Sequence, residues 1–121
     1  MLNDRSTNGY FIVIAALNQF VELGASFKLY NLLPEIALLL TLRMNCEDAA
    51  RLLGFAEKLR TDSHGLRDPI DYVLFKRAMN DAAAAFSPEG FEALLAEGAT
   101  LSQSAAVNLA RVCLLPRRKR K

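Results

Sequence analysis

Apolar residues recur along most of the chain at the three- and four-residue spacing of amphipathic helices, and this pattern predicts six helices. Asp68-Pro69 and Ser87-Pro88 each place a capping residue before a proline, which is tolerated in the first turn of a helix. Gly24, His64-Gly65 and Pro116 are typical of helix ends. The predicted ranges are about 7–23, 29–44 (beginning between 29 and 33), 46–63, 69–86, 88–98 and 102–116.

The connections between these helices are short, and no stretch shows the sustained polar and apolar alternation of a strand. We therefore predict an all-α fold of antiparallel helical hairpins, stacked as a short repeat array. Residues 1–115 are expected to form a single domain, followed by a basic, disordered tail over residues 116–121. The second helix is predicted to end near Met44, with Asn45 in the left-handed conformation that closes many helices.

The third predicted helix has two different apolar sides. Leu52, Leu53 and Ala56 share one face, whereas Ala50 and Gly54 lie together on another. A glycine inside a helix costs about 1 kcal/mol relative to alanine, so Gly54 indicates the close approach of a neighbouring helix. The expected helix-packing residues are Ala50, Leu53, Gly54, Ala56 and Gly98.

Composition supports a chain of packed helices. Hydrophobic residues make up 52% of the sequence, with many alanines and leucines and no tryptophan. Cys46 and Cys113 stand far apart without a CxxC motif, which favours a reduced, cytoplasmic protein with buried thiols. The polar amino terminus does not resemble a secretion signal. The apolar runs 10–17 and 32–42 are shorter than the ~20 residues of a membrane span, so no membrane association is expected.

The formal charge of +2 is unevenly distributed. Without the last five residues, the basic residues fall from 15 to 10 against 13 acidic residues. Such a terminal run is typical of a solvated end, and nucleic-acid binding through it is an alternative hypothesis. The candidate contacts for nucleic acid are Arg117, Arg118, Lys119, Arg120 and Lys121.

No group of residues predicts catalysis, a cofactor or a metal. His64 is the only histidine and lies at a predicted helix end, while Glu47-Asp48 occupies a first turn, where carboxylates complement the helix dipole. Phosphate-binding loops, dinucleotide-binding glycine patterns and nucleophile elbows are absent from the sequence. Tyr72, Phe75 and Phe86 follow helical spacing; this is typical of a core, although a ligand groove is a further hypothesis.

Between Leu32 and Ala110 the chain resembles the carboxy-terminal, tetratricopeptide-like repeat regions of large bacterial ATPase and LuxR-type transcriptional regulators. The resemblance implies a stacked helical array, with ATPase and DNA-binding activities outside this chain. Only residues 29–63 match a single repeat of ~34 residues. The matching residues are Ala49-Ala50-Arg51-Leu52-Leu53-Gly54-Phe55-Ala56-Glu57, Phe91, Ala93, Leu94, Glu97-Gly98, Leu101-Ser102 and Ala106-Val107.

The expected function is a non-catalytic module that binds a partner protein or other domains of a signal-responsive regulator. The first helix is apolar almost all round, which predicts either a preceding repeat or self-association as a homodimer. The candidate self-association residues are Phe11, Ile12, Ile14 and Phe20. A small-molecule sensor with a pocket among the aromatic helices is a third hypothesis.

Overall fold

A computed structural model describes the backbone of residues 2–24 and 29–114, and the side chains of 12–24 and 29–114. Within these ranges the chain forms six α-helices and no strand, which confirms the predicted all-α class. α1 begins earlier than predicted, and α4 ends before Phe86. The helices are α1 (Leu2–Glu22), α2 (Leu29–Leu42), α3 (Cys46–Asp62), α4 (Pro69–Ala83), α5 (Pro88–Ala99) and α6 (Gln103–Leu114).

The starts of α4 and α5 follow from their capping residues. The Asp68 side chain accepts a hydrogen bond from the backbone N–H of Asp71 at 2.9 Å, and Ser87 Oγ accepts one from Gly90 at 3.0 Å. Both capping residues have extended backbone, and the proline that follows each fits the first turn. The predicted cap-and-proline starts are therefore confirmed.

The junction between α2 and α3 corrects one expectation. Met44, and not Asn45, takes the left-handed conformation, with φ of 65°. Asn45 has φ of −108° and caps α3, where its side chain accepts a hydrogen bond from the backbone N–H of Asp48 at 3.4 Å. Because α3 begins directly after Asn45, its side chain is needed for the cap, and the residue before it makes the turn.

Met44 and His64 are the two non-glycine residues with positive φ in the described ranges. Each is exposed and follows the end of a helix, where glycine usually stands. We expect Met44→Gly and His64→Gly each to raise the free energy of unfolding by about 0.5–1 kcal/mol, because relief of left-handed strain exceeds the entropy cost of glycine. Urea denaturation measures this difference. Ala84→Gly is the control, since Ala84 has φ of −61°, and it should lower the stability; an equal loss in Met44→Gly would contradict the prediction.

α3 is the central helix of the fold. It packs most extensively on α2 and α5 and also contacts α4 and α6, while α2 lies in addition against α4. α4 and α5 follow each other in sequence but make only marginal contact. The expected hairpin of consecutive helices is therefore not formed by α4 and α5: α4 packs on α2 and α3, and α5 packs on α3. A regular repeat array stays a prediction.

α1 is joined to the rest of the fold by few contacts. It lies against α6 and α2, and it places Leu17 fully in the core. Arg111 of α6 donates a hydrogen bond to Asn18 Oδ1 at 2.7 Å. None of the helices in the described ranges is both long and apolar enough to cross a lipid bilayer.

Candidate interaction surface

The contact between α3 and α5 is made by backbone against backbone. A Cβ atom added to Gly54 would lie 2.9 Å from the Cα of Leu95 and still closer to the Leu95 carbonyl. A Cβ added to Gly98 would lie 2.7 Å from the Cα of Arg51 and closer to the Arg51 carbonyl. The earlier residue of α3, Arg51, meets the later residue of α5, Gly98, and Gly54 meets Leu95. The two helices are therefore antiparallel. Real Cβ atoms do not approach backbone this closely, and the contact requires glycine on both helices.

The other expected helix-packing residues are buried on two sides of α3: Ala50 shares the side of Gly54, and Leu53 and Ala56 lie on the other apolar face. Ala50, Leu53 and Ala56 are 0% exposed. At the edge of the contact, Arg51 Nε lies 3.3 Å from Glu97 Oε1 and Arg51 also donates to Asp48 Oδ1 at 2.7 Å. Because the Glu97 carboxylate is exposed, this ion pair stabilises the contact only weakly. The two glycines therefore determine where α5 can approach α3.

A groove of about 390 Å³ separates α4 from α5. It exists because α5 packs on α3, α4 packs on α2 and α3, and α4 and α5 scarcely contact each other. Its floor and walls are mostly apolar, and charged side chains stand at its rim. The floor is formed by Leu53 and Gly54, the α4 wall by Phe75 and Met79, the α5 wall by Leu95, Ala96 and Ala99, and the rim by Glu57, Lys58, Thr61, Asp62 and Glu92.

The α4 wall continues beyond the groove. Tyr72, seven residues before Met79, shares its side of the helix and is 53% exposed. Ile70 and Val73, one helical turn apart on α4, are also exposed. The predicted aromatic stripe is thus divided: Phe75 belongs to the core and the groove wall, whereas Tyr72 faces solvent.

Arg67 fixes the connection that leads into α4. Its side chain is 5% exposed, and its guanidinium lies 4.0 Å from the centre of the Phe75 ring. It donates to Glu57 Oε1 at 2.8 Å and to the backbone carbonyl of Tyr30 at 3.1 Å. Arg67 therefore connects α2, α3 and α4 and holds a wall residue of the groove in place. Nothing in the sequence around Arg67 indicates that its side chain is buried.

Glu57 is the common acceptor of two arginines. Burial alone would raise the pKa of its carboxyl group, but hydrogen bonds from Arg60 and Arg67 lower that pKa below the ordinary value. Arg60 also donates to the carbonyl of Gly65 at 2.9 Å, which closes the end of α3. The ionised Glu57 thus joins α3, through Arg67, to the connection that precedes α4.

The residues considered for chemistry lie apart from one another. His64 and Glu47 are exposed at opposite ends of α3, whereas Asp48 binds Arg51 and Asn45. No group of three or more histidine, cysteine, aspartate or glutamate side chains within the described residues is placed to hold a metal ion.

Cys113 lies half-buried against the start of α3. Its thiol donates to Asp48 Oδ2 at 3.3 Å, and Asn45 Nδ2 lies 3.6 Å from the sulfur. Burial and the neighbouring Asp48 carboxylate raise the pKa of the Cys113 thiol to about 11. Only the thiolate reacts readily, so this environment predicts an inert cysteine at neutral pH.

This prediction can be measured in a Cys46→Ser variant, which leaves Cys113 as the only thiol. At pH 8 we expect iodoacetamide to alkylate the folded protein about a hundredfold more slowly than the chain unfolded in urea, because two pKa units reduce the thiolate by that factor. Asp48→Asn should accelerate the folded reaction. Equal rates in the folded and unfolded chains would contradict the prediction.

The predicted self-association residues do not share one environment. Ile12 is 68% exposed, whereas Ile14 and Phe20 pack partly buried against the core. The side chain of Phe11 and all of Arg117, Arg118, Lys119, Arg120 and Lys121 lie outside the described residues. Self-association stays a prediction, which size-exclusion chromatography with light scattering tests.

Comparison with known protein families, with curated proteins and with solved structures finds no match to this chain.

Proposed function

We propose that this chain is a non-catalytic helical module that binds an amphipathic helix from another protein, or from another domain of the same regulator, in the groove between α4 and α5. The observation that carries the proposal is the groove itself, with a mostly apolar lining and a charged rim on a stable α3 floor. Amphipathic helices commonly bind in such grooves by their apolar side.

Both walls of the groove are held independently of any partner. The contacts of Gly54 and Gly98 fix α5 on α3, and Arg67 fixes the start of α4. A groove whose walls are already in place loses little conformational entropy on binding, which favours affinity. This arrangement supports a docking surface more than a hinge.

The proposed biological setting is a signal-responsive transcriptional regulator in the cytoplasm. The setting rests on the resemblance of residues 32–110 to the repeat regions of such regulators, and on the absence of a disulfide between Cys46 and Cys113. In that setting the module transmits binding of its partner to other domains and performs no chemistry itself.

Photo-crosslinking tests the position of the partner. A benzoylphenylalanine placed at the exposed groove residue Ala96 should form a crosslink to a defined segment in cells, and the same group at Ala105, exposed on α6, should not. The segment identified by mass spectrometry is then synthesised and titrated against purified protein by fluorescence anisotropy.

The matched variants of that titration are Ala96→Arg and Ala105→Arg. We expect Ala96→Arg to weaken peptide binding by at least about tenfold, because its side chain fills the groove, and Ala105→Arg to leave binding unchanged. Equal affinity for both variants, or equal crosslinking from both positions, would exclude the groove as the binding site.

A further inference from the structure

The charges on the α3 side of the α4–α5 groove are already paired within the protein. Lys58 lies 2.7 Å from Asp62, and Glu57 accepts hydrogen bonds from Arg60 and Arg67. Each carboxylate on this side therefore has its own cation, and a partner gains little by pairing with it.

The α5 side of the groove carries carboxylates without such cations. Glu92 lines the groove, and Glu89, three residues earlier on the same side of α5, is exposed beside it. Among the described residues, neither takes part in an ion pair. Glu97 pairs with Arg51, and α5 contains no lysine, arginine or histidine. The α5 wall is thus a negatively charged edge of an apolar groove.

The surface beside these carboxylates is made of small side chains. A shallow depression along α5 shares Glu92 and Ala96 with the groove, and its other lining residues are Pro88, Glu89 and Ala93. Because alanine leaves space above the helix, the methylene groups of a long partner side chain can cross this surface and carry its charge to a carboxylate. The α5 edge therefore has both the charge and the space for lysine or arginine.

We propose that the partner of the groove is a basic amphipathic helix. Its apolar residues contact Phe75, Met79 and Leu95, and a lysine or arginine about one helical turn away pairs with Glu92 or Glu89. The inference rests on the proposed function, because it concerns the same groove, and it adds the charge of the partner. A helix with carboxylates at those positions would be repelled along α5.

An mRNA-display library of helical peptides tests the charge of the partner. The peptides carry apolar residues at three- and four-residue spacing, and their flanking positions vary among lysine, glutamate and glutamine. Peptides that bind the protein but not Ala96→Arg are selected and measured by fluorescence anisotropy. We expect lysine to exceed glutamate by at least about fivefold at a flanking position, and the affinity of a selected peptide to fall as salt is added.

Charge reversal provides the matched variants. Glu89→Lys combined with Glu92→Lys should weaken binding of a selected peptide by about tenfold, and the same peptide with glutamate in place of lysine should regain most of that affinity. Glu22→Lys combined with Glu47→Lys is the control, since it makes the same change in net charge at two exposed positions that do not line the groove. Glu47, like Glu89, lies in the first turn of its helix. We expect this control to bind the selected peptide normally.

The outcomes distinguish this inference from the proposed function. Selected peptides without an excess of lysine, or with unchanged affinity for the variant that combines Glu89→Lys and Glu92→Lys, would overturn the inference and leave the groove as a docking site. A library that yields no peptide sensitive to Ala96→Arg would contradict both. So would a dimer in light scattering that Ala96→Arg dissociates, because a second copy of this chain would then occupy the groove.

Discussion

Replacing Gly54 by alanine is expected to lower the free energy of unfolding by about 2–3 kcal/mol, and Gly98→Ala should have a similar effect. Alanine is the better helix former by about 1 kcal/mol, so propensity alone predicts the opposite sign. The added methyl group would, however, overlap the carbonyl of Leu95 or of Arg51, and backbone cannot move aside as a side chain can. The helices must separate, which exposes the apolar surface of the α3–α5 contact.

The matched control is Gly90→Ala on α5. A Cβ at that position would meet the side-chain oxygen of Ser87 at 3.1 Å and the Cβ of Phe86 at 3.8 Å. Both are side-chain atoms, and the Ser87 hydroxyl can shift by a few tenths of an ångström. We expect its stability to remain within about 1 kcal/mol of the unchanged protein. Urea denaturation followed by circular dichroism compares the variants, and a Gly54→Ala effect as small as that of Gly90→Ala would contradict the prediction.

The two glycines should also be coupled. Once alanine at Gly54 has moved α5 away, a second alanine at Gly98 has less to displace. The double variant should therefore lose less stability than the sum of the single losses, by about 1 kcal/mol or more. Strict additivity would show that the two positions do not belong to one contact.

Arg67→Ala is expected to lower the free energy of unfolding by about 2–3 kcal/mol. The substitution removes a buried guanidinium from the Phe75 ring and leaves the Tyr30 carbonyl without its donor. The loss stays below that of a fully buried pair, because the partner Glu57 is 40% exposed and retains Arg60. Thermal and urea unfolding of the variant measure it.

Arg67→Lys should recover little of this stability, since an ammonium group cannot both stack on the ring and donate to two separate acceptors. Arg77→Ala is the control on α4. Its side chain is 69% exposed and lies 3.9 Å from Asp81, so its loss should cost under about 0.5 kcal/mol. Full rescue by lysine would show that charge alone explains the role of Arg67.

Acid unfolding tests the contact between Glu57 and Arg67 independently. The folded-state pKa of Glu57 is lowered, so its contribution to stability is complete above the ordinary carboxyl pKa and is lost as the pH falls through the folded value. Arg67→Ala should weaken that dependence, because one of the two arginines that lower the pKa is removed.

The local features of this fold could be predicted from the sequence, whereas the arrangement of its helices could not. The caps at Asp68 and Ser87 depend on neighbouring residues alone, and both predictions are confirmed. Gly54 indicated a close approach, but nothing in α3 shows that α5 makes it. Short connections favoured pairing of consecutive helices, and α5 instead packs on α3 past α4.

The groove, and the contacts that hold its walls in place, depend on how helices distant in sequence pack together, and the sequence alone does not show this. A space between α4 and α5 leaves no periodic signal, because Phe75 and Leu95 have the same spacing pattern whether they meet each other or a partner. Arg67 stands in a connection, where a single arginine is ordinarily solvent-exposed. Its burial depends on Tyr30, Glu57 and Phe75 meeting around it. One feature of the sequence did indicate the contact between α3 and α5: Gly98, like Gly54, is a glycine within a helix.

The central claim is that α5 lies directly on the backbone of α3 and leaves a groove beside α4. Proton–proton Overhauser effects test it most directly, because one Hα of each glycine faces the backbone of the opposite helix. A Cβ in place of that Hα would lie 2.9 Å from the Leu95 Cα at Gly54 and 2.7 Å from the Arg51 Cα at Gly98. We predict strong Hα–Hα cross-peaks for Gly54 with Leu95 and for Gly98 with Arg51. Their absence, together with strong cross-peaks between the side chains of α4 and α5, would contradict the account.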